Sequence, residues 1–285
     1  MHSAMDRVDL RTQREFLPIE EEKRYETQSG FWHQSGRRSP HDLIRHRYSV
    51  RLARTREEVE AALRLRFEVF NLELNEGLGE SFITGLDEDE FDRFCDHLIV
   101  IDELSVGVVG TYRMQTGEMA ARSGCGFYGA REFEFAPYAS IAHSLIELGR
   151  ACVRRSHRTL TVISLLWNGI IQYARDRRAR YLIGCSSLRS QDPAFGSAMF
   201  HRLRKAHLVR ETFRTHPLPA LAICTDGEPV PCGQPPKLLR AYLSLGAKIC
   251  GPPAIDREFG TIDFLTLLDI NHSPYKAAAR FLPSR

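Results

Sequence analysis

The stretch that decides the fold is SLIELGRACVRRSHRTLTVISLLWNGIIQYARDRRARYLIGCS, residues 144–186. Its first ten residues, 144–153, are rich in strand formers and predict a central strand. A helix is predicted over residues 161–177, where apolar residues recur at helical spacing: Val162, Leu166, Ile170 and Ala174. The short apolar run at residues 181–186 predicts the next buried strand. The middle of the chain is therefore predicted to alternate strand, helix and strand.

On either side of this unit the pattern predicts further strands and helices. Thr55 and Glu58 form a capping-box pattern that predicts the start of a helix, and Gly246 predicts the end of a late one. The other predicted elements are strands at 48–52, 97–102, 106–114 and 262–268, an extended segment around 132–135, and helices at 193–206 and 237–245. Because the strands first pair as a hairpin and then alternate with helices, we expect an α+β fold, a mixed sheet with helices on both faces.

Composition excludes several classes of protein. A net charge of +3 with 43% hydrophobic residues is typical of a globular protein and too mildly basic for a dedicated nucleic-acid binder. The longest uncharged stretch, residues 159–174, is too short to cross a bilayer, and residues 1–9 lack the apolar core of a secretion signal. We therefore expect a cytoplasmic protein. Seven cysteines without a C-x-x-C pair argue against a disulfide framework or a zinc site and favour buried thiols.

Two regions differ in pattern. Residues 1–45 are polar, without apolar periodicity, and predict a flexible tail. Phe31 and Trp32, followed by arginines, could contact a lipid surface, although scattered aromatic residues in tails usually do little. Residues 46–285 are predicted to form a single domain.

Six motifs occur together and in order over residues 48–270. They are RFEVF (66–70), FDRFCDHL (91–98), GVVGTYR (107–113), ELGR (147–150), LLWNG (165–169) and YLIGCS (181–186). Together they resemble the ornithine N-acyltransferase family of the GNAT superfamily. That family also includes long-chain N-acyl amino acid synthases and is related to the acyl-homoserine lactone synthases. The C-terminal stretch 236–269, with AYL (241–243) and LGA (245–247), is similar to the end of the same family.

The resemblance implies a GNAT fold in which the fourth and fifth strands, residues 144–153 and 181–186, splay apart to admit a pantetheine arm. The acyl chain would enter a hydrophobic tunnel under the sheet, lined by residues such as Phe67, Trp167 and Phe195. It implies no metal and no tightly bound cofactor. The donor would be an acyl-phosphopantetheine thioester, on acyl carrier protein or on CoA.

An amine that attacks a thioester needs a free lone pair, so a base is required. On the family resemblance, Glu147 would be that base, and partial burial would raise its pKa toward the working range. The alternative is a structural ion pair with an arginine. Arg150, the second candidate catalytic residue, lies three positions further, so strand alternation puts the two side chains on opposite faces unless a bulge intervenes.

Candidate substrate-binding residues carry charge or aromatic rings. Arg66 or Arg150 could grip an amino acid carboxylate with two hydrogen bonds, and the alternative for Arg66 is pairing with the acidic residues at 87–92. Within that acidic region and just after it, Asp92 and Asp96 are favoured for the δ-ammonium of ornithine. Trp167 could contact substrate or belong to the core. His97 could be a base, but a hydrogen-bonded fold histidine is favoured.

The donor site is predicted from a missing motif. CoA-dependent GNAT enzymes usually carry a glycine-rich turn after the fourth strand, and residues 154–159 contain no glycine. Charged side chains could still hold a single phosphate, which favours a carrier protein over free CoA. The candidate contacts of the phosphopantetheine and its carrier are Cys152, Arg154, Arg155 and Arg158. Cys152 and Cys185 could act as nucleophiles, but both are favoured as small core residues.

The sequence therefore predicts an N-acyltransferase that moves a 3-hydroxy fatty acyl chain from acyl carrier protein to the α-amine of ornithine, forming a lyso-ornithine lipid. The alternatives are another acceptor such as glycine or lysine, an acetyl-CoA-dependent acetyltransferase, and a non-enzymatic, hemolysin-like membrane-associated protein. Acyl carrier protein and an amino acid are the expected partners, without nucleic acid. A peripheral contact with the inner membrane is a further expectation.

Overall fold

The computed structural model describes residues 47–105, 107–226 and 232–271. The predicted tail at residues 1–45 lies outside them. The eight strands of the described chain are β1 Tyr48–Leu52, β2 Asp96–Asp102, β3 Gly107–Thr116, β4 Leu145–Val153, β5 Tyr181–Leu188, β6 Lys248–Ile249, β7 Ala254–Asp256 and β8 Thr261–Asp269. The α-helices are α1 Arg56–Phe67, α2 Ser81–Thr84, α3 Gly117–Ser123, α4 Leu160–Asp176, α5 Pro193–His207 and α6 Lys237–Ser244.

All eight strands belong to one mixed sheet. The order is β1-β2-β3-β4-β5-β8-β6, and β7 also pairs with β8. Every pairing is antiparallel except that of β4 with β5, which is parallel and joined by α4. The predicted α+β class with a mixed sheet is confirmed.

Helices cover both faces of the sheet. Tyr112 and Met114 of β3 belong to the core that packs under α4, together with Leu166 and Ile170 of that helix. On the opposite face, α1 and the π-helical turn Glu68–Glu73 that extends it pack through Leu65 and Val69 onto Cys152 of β4. We call these the α4 face and the α1 face. Strand alternation then sends Arg113 and Gln115, the neighbours of Tyr112 and Met114, to the α1 face.

A local sequence signal explains where α1 begins. The Thr55 side chain accepts a hydrogen bond from the backbone N–H of Glu58, which caps α1 as expected. The Glu58 carboxylate also bonds Arg51 and the backbone N–H of Arg54.

Two expectations about the chain are wrong. The segment predicted to be extended around residues 132–135 makes only an isolated bridge, Phe133 to Pro217, and a 3-10 helix, Ala136–Ser144, follows it. Pro137 at its start has no backbone N–H for a sheet ladder, which favours the helical turn. All seven cysteines are free, and Cys152 and Cys250 are buried, but Cys125 and Cys224 are exposed rather than buried.

The two central parallel strands part soon after they begin. Only three pairs join β4 to β5, namely Leu145 with Tyr181, Ile146 with Leu182, and Glu147 with Ile183. Gly184 sits at the branch point, where a β-carbon would overlap the carbonyl oxygen of Leu148. The strands therefore diverge beyond Glu147, which confirms the predicted splay.

A bulge in β4 lies just beyond this branch point. Arg113 of β3 is opposite Gly149 and Thr111 is opposite Cys152, so residues 150 and 151 share the single partner position of Tyr112. Arg150 adopts a left-handed backbone conformation, with φ of 49°. The bulge interrupts strand alternation, and both Glu147 and Arg150 reach the same cavity.

Candidate active site

A cavity of about 280 Å³ lies where β4 and β5 part. It passes through the sheet from one face to the other, and we call it the cleft. Toward the α1 face, where Phe70 and Leu74 also line it, the cleft holds its polar side chains: Arg113, Gln115, Glu147, Arg150, Cys185 and Asp263. Apolar and aromatic side chains line it toward the α4 face: Tyr112, Leu148, Leu238 and Tyr242. A polar reaction chamber thus opens onto an apolar channel.

Glu147 is held at the branch point by backbone donors. Only 6% of its surface is exposed, and its carboxylate accepts hydrogen bonds from the N–H groups of Tyr128 (2.6 Å) and Gly129 (2.8 Å). Burial raises the pKa of Glu147, although these two bonds and the charge of Arg113 oppose the increase. No arginine forms an ion pair with Glu147 in the described part of the chain. Glu147 therefore lines the cleft as a buried carboxylate that is held by backbone donors and not by an arginine.

Arg150 lies beside Glu147 between two aromatic rings. Its guanidinium carbon is 4.2 Å from the ring centre of Phe259 and 5.0 Å from that of Tyr128. Its Nη2 donates to Asp89 at 2.9 Å, while its Nε is 3.4 Å from Asp87 in an orientation too poor for a hydrogen bond. Arg150 is thus a fixed positive charge in the wall of the cleft.

Arg66 and Asp92 form part of an internal ionic network instead of facing the cleft. Arg66 is 0% exposed and pairs with Asp92 (2.6 Å) and Asp87 (2.5 Å). Arg113 pairs with Asp89 and Asp92, and Arg150 with Asp89. Burial raises the pKa of Asp92, but Arg66 and Arg113 outweigh burial and hold it well below its usual range. The ion-pair alternative for Arg66 is the one the geometry supports.

Asp96 and His97 also have structural partners away from the cleft. The Tyr173 hydroxyl of α4 donates to Asp96 at 2.7 Å, and Arg177 pairs with the same carboxylate at 3.2 Å. His97 is buried, and its Nε2–H donates to the carbonyl of Asp92 at 3.1 Å. Burial lowers the pKa of His97, which agrees with a neutral fold histidine. This geometry does not support the prediction that Asp96 binds the δ-ammonium of ornithine.

Only one of the three predicted tunnel residues lies next to the cleft. Trp167 packs edge-on against Tyr242, with ring centres 5.5 Å apart, in a small pocket shared with Leu148 and Leu182. Phe67 instead packs against Phe82, and Phe195 packs against the core under α5. The apolar channel is therefore built from β3, β4 and α6 rather than from α1 and α5.

The predicted donor residues cluster at the end of β4. Cys152 is buried against Leu65 and Val69, and burial raises the pKa of its thiol, which disfavours a nucleophile. Arg154 pairs with Glu68 at 3.0 Å, and Arg158 makes a two-pronged pair with Glu73 at 2.6 and 2.7 Å. Arg155 is exposed and forms no ion pair with any described residue. Of these arginines, Arg155 is the most available to an outside phosphate.

Sequence reasoning missed a group of acids in the cleft and behind its wall, where Glu132 contacts the lining residue Cys185. The side-chain ligand atoms of Glu132, Cys185 and Asp263 lie within 4.8 Å of one another. Asp256 lines the cleft near them, and Gln115 lines it beside Glu147. One signal was present, because Asp263 places a carboxylate inside the mainly apolar run 262–268. Glu132 could not be found this way, since it lies in an irregular segment.

Comparisons with known proteins agree with this geometry. A family model described as an acetyltransferase (GNAT) domain matches residues 65–168. FeeM, an N-acyl amino acid synthase from uncultured soil microbes, has the same fold, with a TM-score of 0.50 at 13% identity over 82% of this chain and 97% of its own. The acyl-homoserine lactone synthase LasI superposes with a TM-score of 0.51 at 10% identity, over 84% of this chain and 97% of its own. The fold, with its two splayed central strands, is thus that of the GNAT class of proteins.

Sequence identity narrows the class to one family. The L-ornithine N(alpha)-acyltransferase of Agrobacterium fabrum is 33% identical over 237 residues, which cover 78% of this chain and 80% of that protein. The protein of the same name from Brucella abortus is 34% identical over 78% of this chain and 84% of its own. The chain belongs to the L-ornithine N(alpha)-acyltransferase family. Separately, no helix among the described residues is long and apolar enough to span a bilayer.

Proposed function

We propose that this protein transfers a fatty acyl chain from the thioester of acyl carrier protein to the α-amine of ornithine. The observation that carries the proposal is the position of Glu147, a buried carboxylate at the point where β4 and β5 separate. The relatives named above support ornithine as the acceptor. The absence of glycine from residues 154–159 supports a carrier protein as the donor.

The arrangement accounts for each step of an amide synthesis. The α-ammonium of the acceptor loses a proton to Glu147, directly or through water, and its nitrogen becomes nucleophilic. That nitrogen attacks the thioester carbonyl, a C–N bond forms and the C–S bond breaks. The second proton of the nitrogen passes to the departing carrier thiolate, which leaves as the thiol, and Glu147 returns its proton to solvent. Beyond Glu147, β4 no longer pairs with β5, so its outward backbone groups can hydrogen-bond the amides of the pantetheine arm.

Arg150 is proposed to hold the carboxylate of the acceptor. It lines the cleft next to Glu147, and its charge is fixed by Asp89 and by two aromatic rings. An amino acid whose carboxylate lies on Arg150 would present its α-amine to Glu147. The same two residues would serve another amino acid equally well, which is why glycine and lysine are the second candidate acceptors.

A cytoplasmic location and a peripheral membrane contact stay predictions. The expected product carries one acyl chain and has to reach a bilayer. Leu72, Phe82 and Ile83 are large apolar side chains exposed near the end of α1 and on α2. The contact is tested by cosedimentation with anionic vesicles. It would be supported if the unaltered protein cosediments and Ile83→Glu does not, and contradicted if the two proteins sediment equally.

A defined reaction tests the function. Purified protein is incubated with 3-hydroxyacyl carrier protein and, in separate tubes, ornithine, lysine and glycine, and products are identified by mass spectrometry. We expect an N-acyl product with ornithine, and a slower reaction when acyl-CoA replaces the carrier protein. Amide formation only with acetyl-CoA would favour an acetyltransferase, and no amide with any amine would contradict the proposal.

A further inference from the structure

Four carboxylates face or border the cleft without a cationic partner. They are Glu132, Glu147, Asp256 and Asp263, and none of them forms an ion pair within the described residues. The arginines nearby, Arg66, Arg113 and Arg150, form their ion pairs with Asp87, Asp89 and Asp92 and with none of these four carboxylates. The chamber therefore holds carboxyl groups that are not paired with any cationic side chain of the described residues.

Three of these acids, Glu132, Asp256 and Asp263, lie on one side of the chamber. The Cys185 thiol lies 3.8 Å from Oε2 of Glu132, and Asp263 completes the trio with Cys185 and Glu132. Asp263 also accepts a hydrogen bond from the Thr261 hydroxyl at 2.9 Å. Oδ1 of Asp256 accepts two backbone N–H groups. Burial, together with the other acids, raises the pKa of Glu132 well above its usual range and that of Asp263 to about 6.

On the opposite side of the chamber, next to Glu147, a buried amide oxygen without a hydrogen-bond partner points to a ligand. Gln115 is 2% exposed and pairs across the sheet with Glu147. Its Nε2 donates to the carbonyl of Gly126 at 3.0 Å, but its Oε1 has no hydrogen-bond partner although it is buried. A buried acceptor without a donor is destabilising, and Gln115 lines the cleft. A donor brought by the ligand would satisfy it.

The spacing between the two ends fits a diamino acid. Glu147 lies level with Ile183 of β5, and Cys185, which touches Glu132, is two residues further along the same face. Two residues of a strand span roughly 7 Å. This is comparable to the reach of a three-carbon side chain that ends in an amine.

We infer that Glu132, Asp256 and Asp263 form a subsite for the side-chain ammonium of the acceptor, while Gln115 and Glu147 receive its α-amine. The inference rests on the proposed function, because it takes the acceptor to be an amino acid held by Arg150. It replaces the sequence-based choice of Asp92 and Asp96, whose carboxylates already have structural partners. The subsite selects a second positive charge, since a neutral side chain would leave the buried carboxylates without a partner.

Equilibrium binding tests the subsite independently of turnover. Ornithine and norvaline, which has the same carbon skeleton without the side-chain amine, are titrated into the intact protein by calorimetry. We expect ornithine to bind at least about 10-fold more tightly, as for a charge-assisted hydrogen bond. Asp263→Asn and Glu132→Gln should reduce this preference and leave the affinity for norvaline unchanged. Asp176→Asn, which alters an exposed acid on α4, is the matched control and should retain the full preference.

The outcomes separate the subsite from the reaction. Preferential ornithine binding that is lost in the two variants would support the subsite even if no amide were formed. Equal affinity of the unaltered protein for ornithine and norvaline would overturn it. An equal decrease in the affinity for both ligands in folded Asp263→Asn and Glu132→Gln would also overturn it, because that result indicates a structural role for these acids. A divalent cation is the competing occupant of the trio. Ornithine preference that disappears with a chelator and returns with zinc would also overturn the inference.

Discussion

At the scale of single residues, the chemistry depends on how firmly Glu147 is placed. Its two backbone donors come from consecutive residues, and Gly129 packs directly against the carboxylate. A β-carbon at Gly129 would lie 3.0 Å from Oε1 of Glu147 and 3.1 Å from the ring of Phe135. The position thus favours glycine because the carboxylate and the ring leave little room for a methyl group.

Gly129→Ala should therefore reduce the turnover number with little change in stability. A displacement of a few tenths of an ångström at the base would slow the chemical step by about 10-fold, since proton transfer is sensitive to alignment. Initial rates measured by mass spectrometry against acyl carrier protein concentration would separate the turnover number from the Michaelis constant. Gly79→Ala is the control, because an added β-carbon there has no neighbour within 4 Å. Equal turnover in both variants would contradict the tight packing around Glu147.

Because the pKa of Asp263 is raised in the folded protein, we expect the free energy of unfolding to depend on pH. Its pKa of about 6 in the folded protein is above its usual value of 3.8, so folding favours the protonated form. The stabilisation is complete below about pH 4 and is lost as the pH rises through about 6. Asp263→Asn should remove this loss, worth roughly 1–3 kcal/mol, and make the variant the more stable protein above pH 6. Urea unfolding at pH 4.5 and 7.5 measures the free energy of unfolding of each protein. If this free energy changed with pH equally in Asp263→Asn and in the control Asp176→Asn, the prediction would be contradicted.

The residues show which roles could be read from the sequence. The motif ELGR picked out Glu147 and Arg150, and the cleft brings both together. Arg66 and Asp92 could not be placed, because the same charges suit a substrate contact or an internal ion pair, and only the fold decides between them. The acid subsite was missed because Glu132 lies in an irregular segment more than 120 residues before Asp256 of β7 and Asp263 of β8.

At the scale of elements, the parting of β4 and β5 is the feature that makes a cleft. Gly184→Ala should damage it, because the new β-carbon would overlap the carbonyl of Leu148, a backbone atom that cannot rotate away. We expect a loss of at least about 1–3 kcal/mol, typical of overpacking, together with reduced activity. Thermal unfolding of Gly184→Ala and of the exposed control Gly233→Ala measures the effect. Equal melting temperatures would mean that the strands do not approach this closely.

The arginines in the turn after β4 lead to a prediction about how acyl carrier protein docks. Arg154 and Arg158 are engaged by Glu68 and Glu73, whereas Arg155 is exposed. Arg155→Ala should raise the Michaelis constant for acyl carrier protein about 3- to 10-fold and leave that for ornithine unchanged, because an exposed charge acts mainly on encounter. Added salt should reduce the difference. Arg175→Ala, an exposed arginine on α4, is the control, and an equal effect in both variants would remove the docking role.

Element prediction succeeded where the periodicity was strong and failed where proline and local contacts intervened. Apolar spacing placed α4 and β5 within a few residues of their observed bounds. The bulge at Arg150 could be raised only as a condition, since its left-handed backbone depends on the register of β3 against β4. The segment at 132–135 has strand-like residues, but Pro137 follows it and its neighbours form a 3-10 helix.

At the scale of the whole molecule, one sheet supplies both halves of the reaction chamber. The hairpin of β2 and β3 supports β4 on one side, and β8 supports β5 on the other, so the two central strands can part without losing both neighbours. This order follows from the C-terminal strand inserting next to β5, which the sequence pattern does not specify. The family resemblance supplied the expectation of a splay, and the structure supplies its position at Glu147.

The central claim is that Glu147 accepts the amine proton inside this gap. Its most direct test is the single-turnover rate of amide formation from acyl carrier protein and ornithine, compared between the unaltered protein and Glu147→Gln from pH 5 to 9. Because burial raises the pKa of Glu147, the unaltered rate should climb with pH until the carboxylate is ionised. Glu147→Gln should be about 10²- to 10⁴-fold slower and lack that carboxylate-dependent rise. A variant that keeps more than half of the rate with the same pH profile would contradict the account.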